Sequence, residues 1–198
     1  MFRRGVFLFA LLFVFSSPAH AKIAKIVIEK RELFANGYEF PITGAYEKLV
    51  GKAYGEVDSK NPLNHIIVNL GKAPRNQNGK VEYSVDIFIL KPVDMRRGNG
   101  TIFYEVLNRG NKGMRFNAGA SRSNDPSTLE DAGDGFLMRQ GYTLVWSAWQ
   151  GDILPGNGRM TADFPVAKNP DGRPIRRWIR TEFVFQKPSF SVPLSFDR

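Results

Sequence analysis

Residues 101–152 constrain the fold more than any other part of the chain, because two runs of β-favouring residues flank a short helical segment. The first run, from Thr101 to Leu107, reads Thr-Ile-Phe-Tyr-Glu-Val-Leu. An almost unbroken apolar run of this length, bounded by turn formers, is the pattern of a strand buried on both faces of a parallel sheet. Residues 142–149 read the same way. Between them lies a polar, glycine-rich stretch, followed by Asp134 as N-cap of a helix over 135–140 and Gly141 as the left-handed residue that stops it. Strand, helix and strand in this order predict a right-handed β-α-β crossover. Ligand sites in open α/β sheets lie beyond the carboxyl ends of such strands, which nominates two loops, Asn108-Arg109-Gly110 and Gln150-Gly151-Asp152.

The segments before this unit read as strands. In residues 23–29, Ala24, Ile26 and Ile28 alternate with charged residues, the period-2 mark of a half-buried outer strand. Residues 45–57 alternate loosely and contain Gly51 and Gly55, which predicts a bent or bulged strand. Residues 58–64 are dense in turn formers, and 65–70 follow as a short apolar strand. In 81–90, Val81, Tyr83, Val85, Ile87 and Ile89 share one face, Glu82, Ser84 and Asp86 take the other, and Lys91-Pro92 ends the strand. Beyond Pro155 many Gly and Pro punctuate the chain. There, 169–173 reads as a hairpin turn and 175–185 as a β extension with Ile175, Ile179, Phe183 and Phe185 on one face.

The first 21 residues carry the marks of an export signal: Arg3 and Arg4, an apolar run over 6–15, and a small-residue end at Ala19-His20-Ala21, with cleavage after Ala21. The apolar run is too short for a stable span, which needs roughly 20 residues. Its removal takes two arginines and no acid, so the charge falls from +9 to +7. An exported basic protein meets envelope polyanions or acidic glycans before nucleic acid, and no nucleic-acid module is present. The chain has no cysteine, so a disulfide framework is excluded and an apolar core must hold the fold. Its 13% aromatic content supports a β-rich interior over disorder.

Several separated motifs resemble one family. Gly44-Ala45-Tyr46-Glu47, Gly55-Glu56-Val57-Asp58, Ala73-Pro74-Arg75-Asn76, Val81-Glu82-Tyr83, Gly98-Asn99-Gly100-Thr101, 104–110, 135–139 and Trp146-Ser147-Ala148-Trp149-Gln150-Gly151-Asp152, in this order, are similar to the amino-terminal region of large, poorly characterised, often exported bacterial α/β-hydrolase-domain proteins. Ala148 stands where that pattern has Gly, and Ser59 where it has Pro. The resemblance implies an esterase-type hydrolase whose catalytic serine, acid and histidine lie beyond residue 198. In that fold one oxyanion-hole N–H comes from the loop after the third strand. If 101–107 is that strand, the amides of Asn108, Arg109 and Gly110 are the donors, with Gln150 and Asp152 in the neighbouring site loop. The alternative is a tight turn whose Arg109 meets a structural carboxylate such as Asp152.

Other candidates have plainer readings. Gly119-Ala120-Ser121-Arg122-Ser123 lacks the final glycine of G-x-S-x-G and follows no strand, so it reads as a polar loop. His65, the one histidine left after the signal, precedes every later serine and acid, whereas the hydrolase base comes last; it reads as a surface or strand-capping imidazole. Asp58, Asn61 and Asn64 offer oxygens for Ca²⁺ but fit an Asx/Pro turn better. Trp146 and Trp149 fall on opposite faces of their strand, which puts at least one in the core. Arg176, Arg177, Trp178 and Arg180 read as a glycan- or phosphate-binding surface or as a solvated strand face.

The expected fold is therefore β-rich α/β: signal 1–21, the amino-terminal part of an α/β-hydrolase-like sheet over 22–154, and a β-hairpin extension over 155–198, with an incomplete core prone to self-association. The expected function is that of an amino-terminal segment of an exported hydrolase acting on a small ester-type substrate, with no nucleophile, metal or cofactor of its own. The alternative is a non-catalytic secreted β-rich module that binds a glycan or envelope polyanion through Trp178 and its arginines.

Overall fold

Two long amphipathic strands form the centre of the sheet. β2 (Tyr46–Val57) and β3 (Val81–Pro92) pair antiparallel over their whole length, from Tyr46 opposite Pro92 to Val57 opposite Val81. The computed structural model describes residues 21–113, 123–178 and 180–191. The export-signal reading of residues 1–20 and the 119–122 part of the glycine–serine run lie outside the described residues. β1 (Ala21–Leu33) pairs with the other edge of β2 and is an outer strand, as expected, but its alternating Ala24, Ile26 and Ile28 are exposed rather than half-buried.

The two β2 glycines act differently from the expectation. β2 pairs with β3 without a register shift, and the irregularities fall in β1, between Ile23 and Lys25 and between Ile28 and Lys30. A Cβ on Gly51 would lie 2.0 Å from the Val27 carbonyl oxygen, and one on Gly55 would lie 2.2 Å from the Tyr83 ring. Glycine is needed there for close approach, of a bulged backbone in one case and of an aromatic ring in the other.

β4 (Ile102–Val106) and β5 (Thr143–Ser147) are parallel and in register, with the short helix α1 (Phe136–Arg139) on the connection between them. β5 pairs antiparallel with β3 over Ile87–Leu90, so the sheet order is β1-β2-β3-β5-β4. β6 (Ala162–Asp163) pairs with Ser84 and Val85 and shares with β5 the same edge of β3. The result is a six-stranded mixed sheet with little helix, a β-rich α/β arrangement. α1 is shorter than the sequence predicts. Asp134 Oδ1 accepts from Phe136 N at 2.9 Å, but Gly135, in the left-handed region, holds the cap position.

The core gathers where β3 and β5 meet the connection before β5. Trp146, Leu144, Phe88, Leu90, Leu137 and Met138 are all buried in it. Tyr46 Oη donates toward the Met138 carbonyl at 3.0 Å and the Tyr142 carbonyl at 2.9 Å, while Thr43 Oγ1 donates to Met138 O at 2.9 Å, which ties α1 to β2. Charges buried on β2 are paired: Lys48 meets Glu32 at 2.9 Å and Asp125 at 3.1 Å, and Glu47 meets Lys91 at 2.6 Å.

Three expectations need correction. First, β4 is not covered on both faces; it is the last strand of the sheet, with Ile102, Tyr104 and Val106 exposed. Second, residues 65–70 form no strand but a series of tight turns. Asn61 and Pro62, which start a tight turn, and left-handed Asn69 break the run at both ends and favour turns over an extended strand. Third, the turn over 169–173 forms, with Asn169 N donating to Arg173 O at 2.9 Å, but the described residues from 175 onward carry no strand. Alternation alone does not make a strand where no edge pairs with it. Ile179 lies outside the described residues.

Candidate functional site

The two loops nominated by the crossover lie side by side because β4 and β5 end together, with Val106 opposite Ser147. Leu107 is buried and closes β4, after which Arg109 and Gly110 take φ of +52° and +74° and turn the chain sharply. A Cβ at Gly110 would come within 2.6 Å of the Met160 carbonyl oxygen, and Met160 N donates to Gly110 O at 2.9 Å. Positive φ and close backbone contact together require glycine here.

All five predicted site residues fall in this cluster. Arg109 N donates to Gln150 Oε1 at 3.0 Å, and Arg109 Nη1 donates to Asp152 Oδ2 at 2.8 Å. Gln150 O in turn accepts from Ala162 N at 2.9 Å, so β6 braces the second loop. Asn111 Nδ2 donates to the Asn108 carbonyl at 3.1 Å, which closes the first turn. The Arg109 guanidinium, by hydrogen bond and charge, holds the Asp152 carboxyl below the ordinary carboxylate value. The tight-turn alternative for Arg109 is thus met geometrically: its side chain and its amide both have partners.

The two tryptophans separate as their spacing predicts. Trp146 is 1% exposed and Trp149 53% exposed. Trp146 Nε1 donates to Glu105 Oε2 across the β4–β5 pair, and Trp149 Nε1 donates to Leu107 O at 2.7 Å, so both indoles fix the carboxyl end of β4.

Sequence reasoning passed over Lys112 and Asn124. Lys112 is 5% exposed, its Nζ lies 4.4 Å from the centre of the Phe88 ring, and it donates to Asn124 O at 2.6 Å. Burial pushes its ammonium down to about 8, against the pull of Asp125, Asp86 and Glu105. Asn124 also accepts from Lys112 N and donates to Asn111 Oδ1 at 2.8 Å and to Asn157 O at 2.9 Å. A depression of about 490 Å³ opens beside the Asn108 turn, walled by Glu105, Asn111, Lys112 and Asn124. In the sequence, Lys112 stands in Gly-Asn-Lys-Gly, which reads as a solvated loop; only the fold brings Phe88 under it.

The remaining candidates lie apart from this cluster or are used structurally. His65 is exposed in the 58–80 connection. Asp58 Oδ1 and Asn61 Oδ1 accept from Lys60 N at 2.8 Å and Leu63 N at 2.9 Å, and Asn64 Nδ2 donates to Asp58 O, so the Asx-turn reading describes these residues. Ser59 Oγ is buried and, among the described residues, has no hydrogen-bond partner. Trp178 is fully exposed beside Arg176, Arg177 and Arg180. No helix of the described residues is long and apolar enough to cross a membrane. No protein-family model, no curated protein and no solved structure matches the chain.

Proposed function

We propose that this chain is the amino-terminal segment of an exported α/β-hydrolase-domain protein acting on an ester or related acyl bond, with nucleophile, acid and histidine supplied by sequence outside these 198 residues. The outer edge of β4, unpaired among the described residues, carries the reading. Neighbouring strands lie about 4.8 Å apart. A further parallel strand on that edge would end beside Asn108-Arg109-Gly110, and the strand-to-helix turn after such a strand is where this fold holds its serine. Counted from β2, β4 is the third strand, so the amides of these three residues take the oxyanion role. Gln150 Oε1 holds the Arg109 amide oriented until a developing oxyanion replaces it. The 490 Å³ depression on the same side supplies room for the acyl group.

Two measurements test the proposal. The transcript should continue past the codon of Arg198 into a frame carrying G-x-S-x-G and a later histidine. The purified 22–198 chain should leave p-nitrophenyl esters untouched, and turnover that a serine-directed inhibitor abolishes would refute the claim that the nucleophile lies elsewhere. A second reading, a secreted module for acidic glycans, is favoured by the full exposure of Trp178 among three arginines. A transcript that stops without such a frame, together with quenching of Trp178 fluorescence by an acidic oligosaccharide, would select it.

A further inference from the structure

The connection between β2 and β3 presents an aliphatic tip that nothing in the described fold covers. Leu63, Ile66 and Val68 are 72%, 86% and 84% exposed, and Ile67 is 43% exposed. Side chains this open stand clear of the surface, and a cluster of them marks an interaction site in a way that scattered apolar residues do not. The tip is held in shape by successive turns: Ile67 N donates to Asn64 O at 3.0 Å, Leu70 N to Ile67 O at 3.3 Å and Lys72 N to Asn69 O at 2.9 Å. Behind it, Ile67, Leu70, Val57, Val81 and Phe164 line an apolar cleft of about 480 Å³.

The charge around this tip has one sign. From Ser59 to Val81 there is no carboxylate, whereas Lys60, Lys72, Arg75 and Lys80 all fall in that stretch. The acids at its ends are engaged: Asp58 Oδ1 accepts from Lys60 N, Glu56 pairs with Lys80 at 3.5 Å, and Glu82 accepts from Asn76 at 2.7 Å. Lys60 and Lys72 make no ion pair among the described residues, and the Arg75 guanidinium donates to Gly71 O at 3.0 Å. A protruding aliphatic tip flanked by cations and free of acids complements a surface whose interior is hydrocarbon and whose headgroups are anionic. The outermost side chains of the tip, Leu63, Ile66 and Val68, are aliphatic, whereas protein interfaces centre on aromatic and arginine anchors seated in pockets.

We propose that the 60–75 loop docks the protein on an anionic lipid bilayer, with Leu63, Ile66 and Val68 inserted at the headgroup boundary and Lys60, Lys72 and Arg75 on the phosphates. The docking is independent of the hydrolase reading, since it uses none of the residues around Arg109 and Gln150.

Vesicle co-sedimentation tests it, with the chain freed of residues 1–21, phosphatidylcholine vesicles, and vesicles of equimolar phosphatidylglycerol and phosphatidylcholine. Wild type should pellet with the anionic vesicles only, and less as salt is added. The double substitution Ile66→Asp, Val68→Asp should weaken binding at least about tenfold, because charges enter the apolar boundary. Lys72→Gln should weaken it about fivefold. All three side chains are exposed, so each variant should keep the cooperative unfolding of the parent, which circular dichroism checks. Equal pelleting with both vesicle types, or undiminished binding of the folded double variant, would overturn the proposal. So would a self-association that the double variant abolishes without any vesicle binding by wild type, since it would assign the tip to a second copy of the chain.

Discussion

Replacing Lys112 by methionine should remove a pH dependence of stability that the wild-type fold carries. The ammonium is buried over the Phe88 ring and is pushed from the ordinary 10.5 down to about 8. The folded state therefore holds fewer protons than the unfolded state between those values, and stability rises with pH across that window. The full cost, about 3 kcal/mol, is present below pH ~8 and is gone above pH ~10.5. From about pH 7 to about pH 9.5 the wild type should gain about 2 kcal/mol relative to Lys112→Met. The variant also leaves Asn124 O without its 2.6 Å donor, a loss of about 1–3 kcal/mol that does not change with pH, so the slope is the informative quantity. Urea unfolding of both proteins at several pH values between these limits gives it, because every other titrating group is common to the pair. A difference between wild type and variant that stays flat with pH would refute the burial argument.

Two further outcomes follow from the geometry. Gly51→Ala should cost about 1–3 kcal/mol in urea unfolding, because the new methyl meets the Val27 carbonyl, whereas Gly71→Ala, with open space around it and no positive φ, should be close to neutral; equal effects would refute the close-approach account. Arg109→Met should raise the pH at which the Asp152 carboxyl titrates, followed by carboxyl ¹³C shifts, while leaving stability nearly unchanged, since the pair is solvent-exposed. An unchanged Asp152 titration would show that the Arg109 side chain does not pair with Asp152 as described.

The local signals were legible where local chemistry is sufficient. Alternation in 81–90 gave β3, turn formers gave the Asx turns at Asp58 and Asn61, and left-handed Gly141 follows α1 as expected, while the N-cap moved from Asp134 to Gly135. The nominated loop residues Asn108 to Gly110, Gln150 and Asp152 meet because parallel strands joined by a helix end on the same side of a sheet. Lys112 and Asn124 were not legible, because their partners come from Phe88 and from a loop near Asn157, far away in sequence.

By itself, the sequence determined the β-rich character, the strand–helix–strand unit and the identity of its two loops, since side-chain periodicity and turn chemistry act between near neighbours in the chain. Only the tertiary structure decided that, among the described residues, β4 is an exposed edge, that the apolar run at 65–70 projects outward and that the strand pattern from Ile175 onward pairs with nothing. A strand's burial depends on which edges are still open when it arrives. With β1 and β3 already on β2, and β5 and β6 on β3, the pattern alone could not say which segment would be left outside.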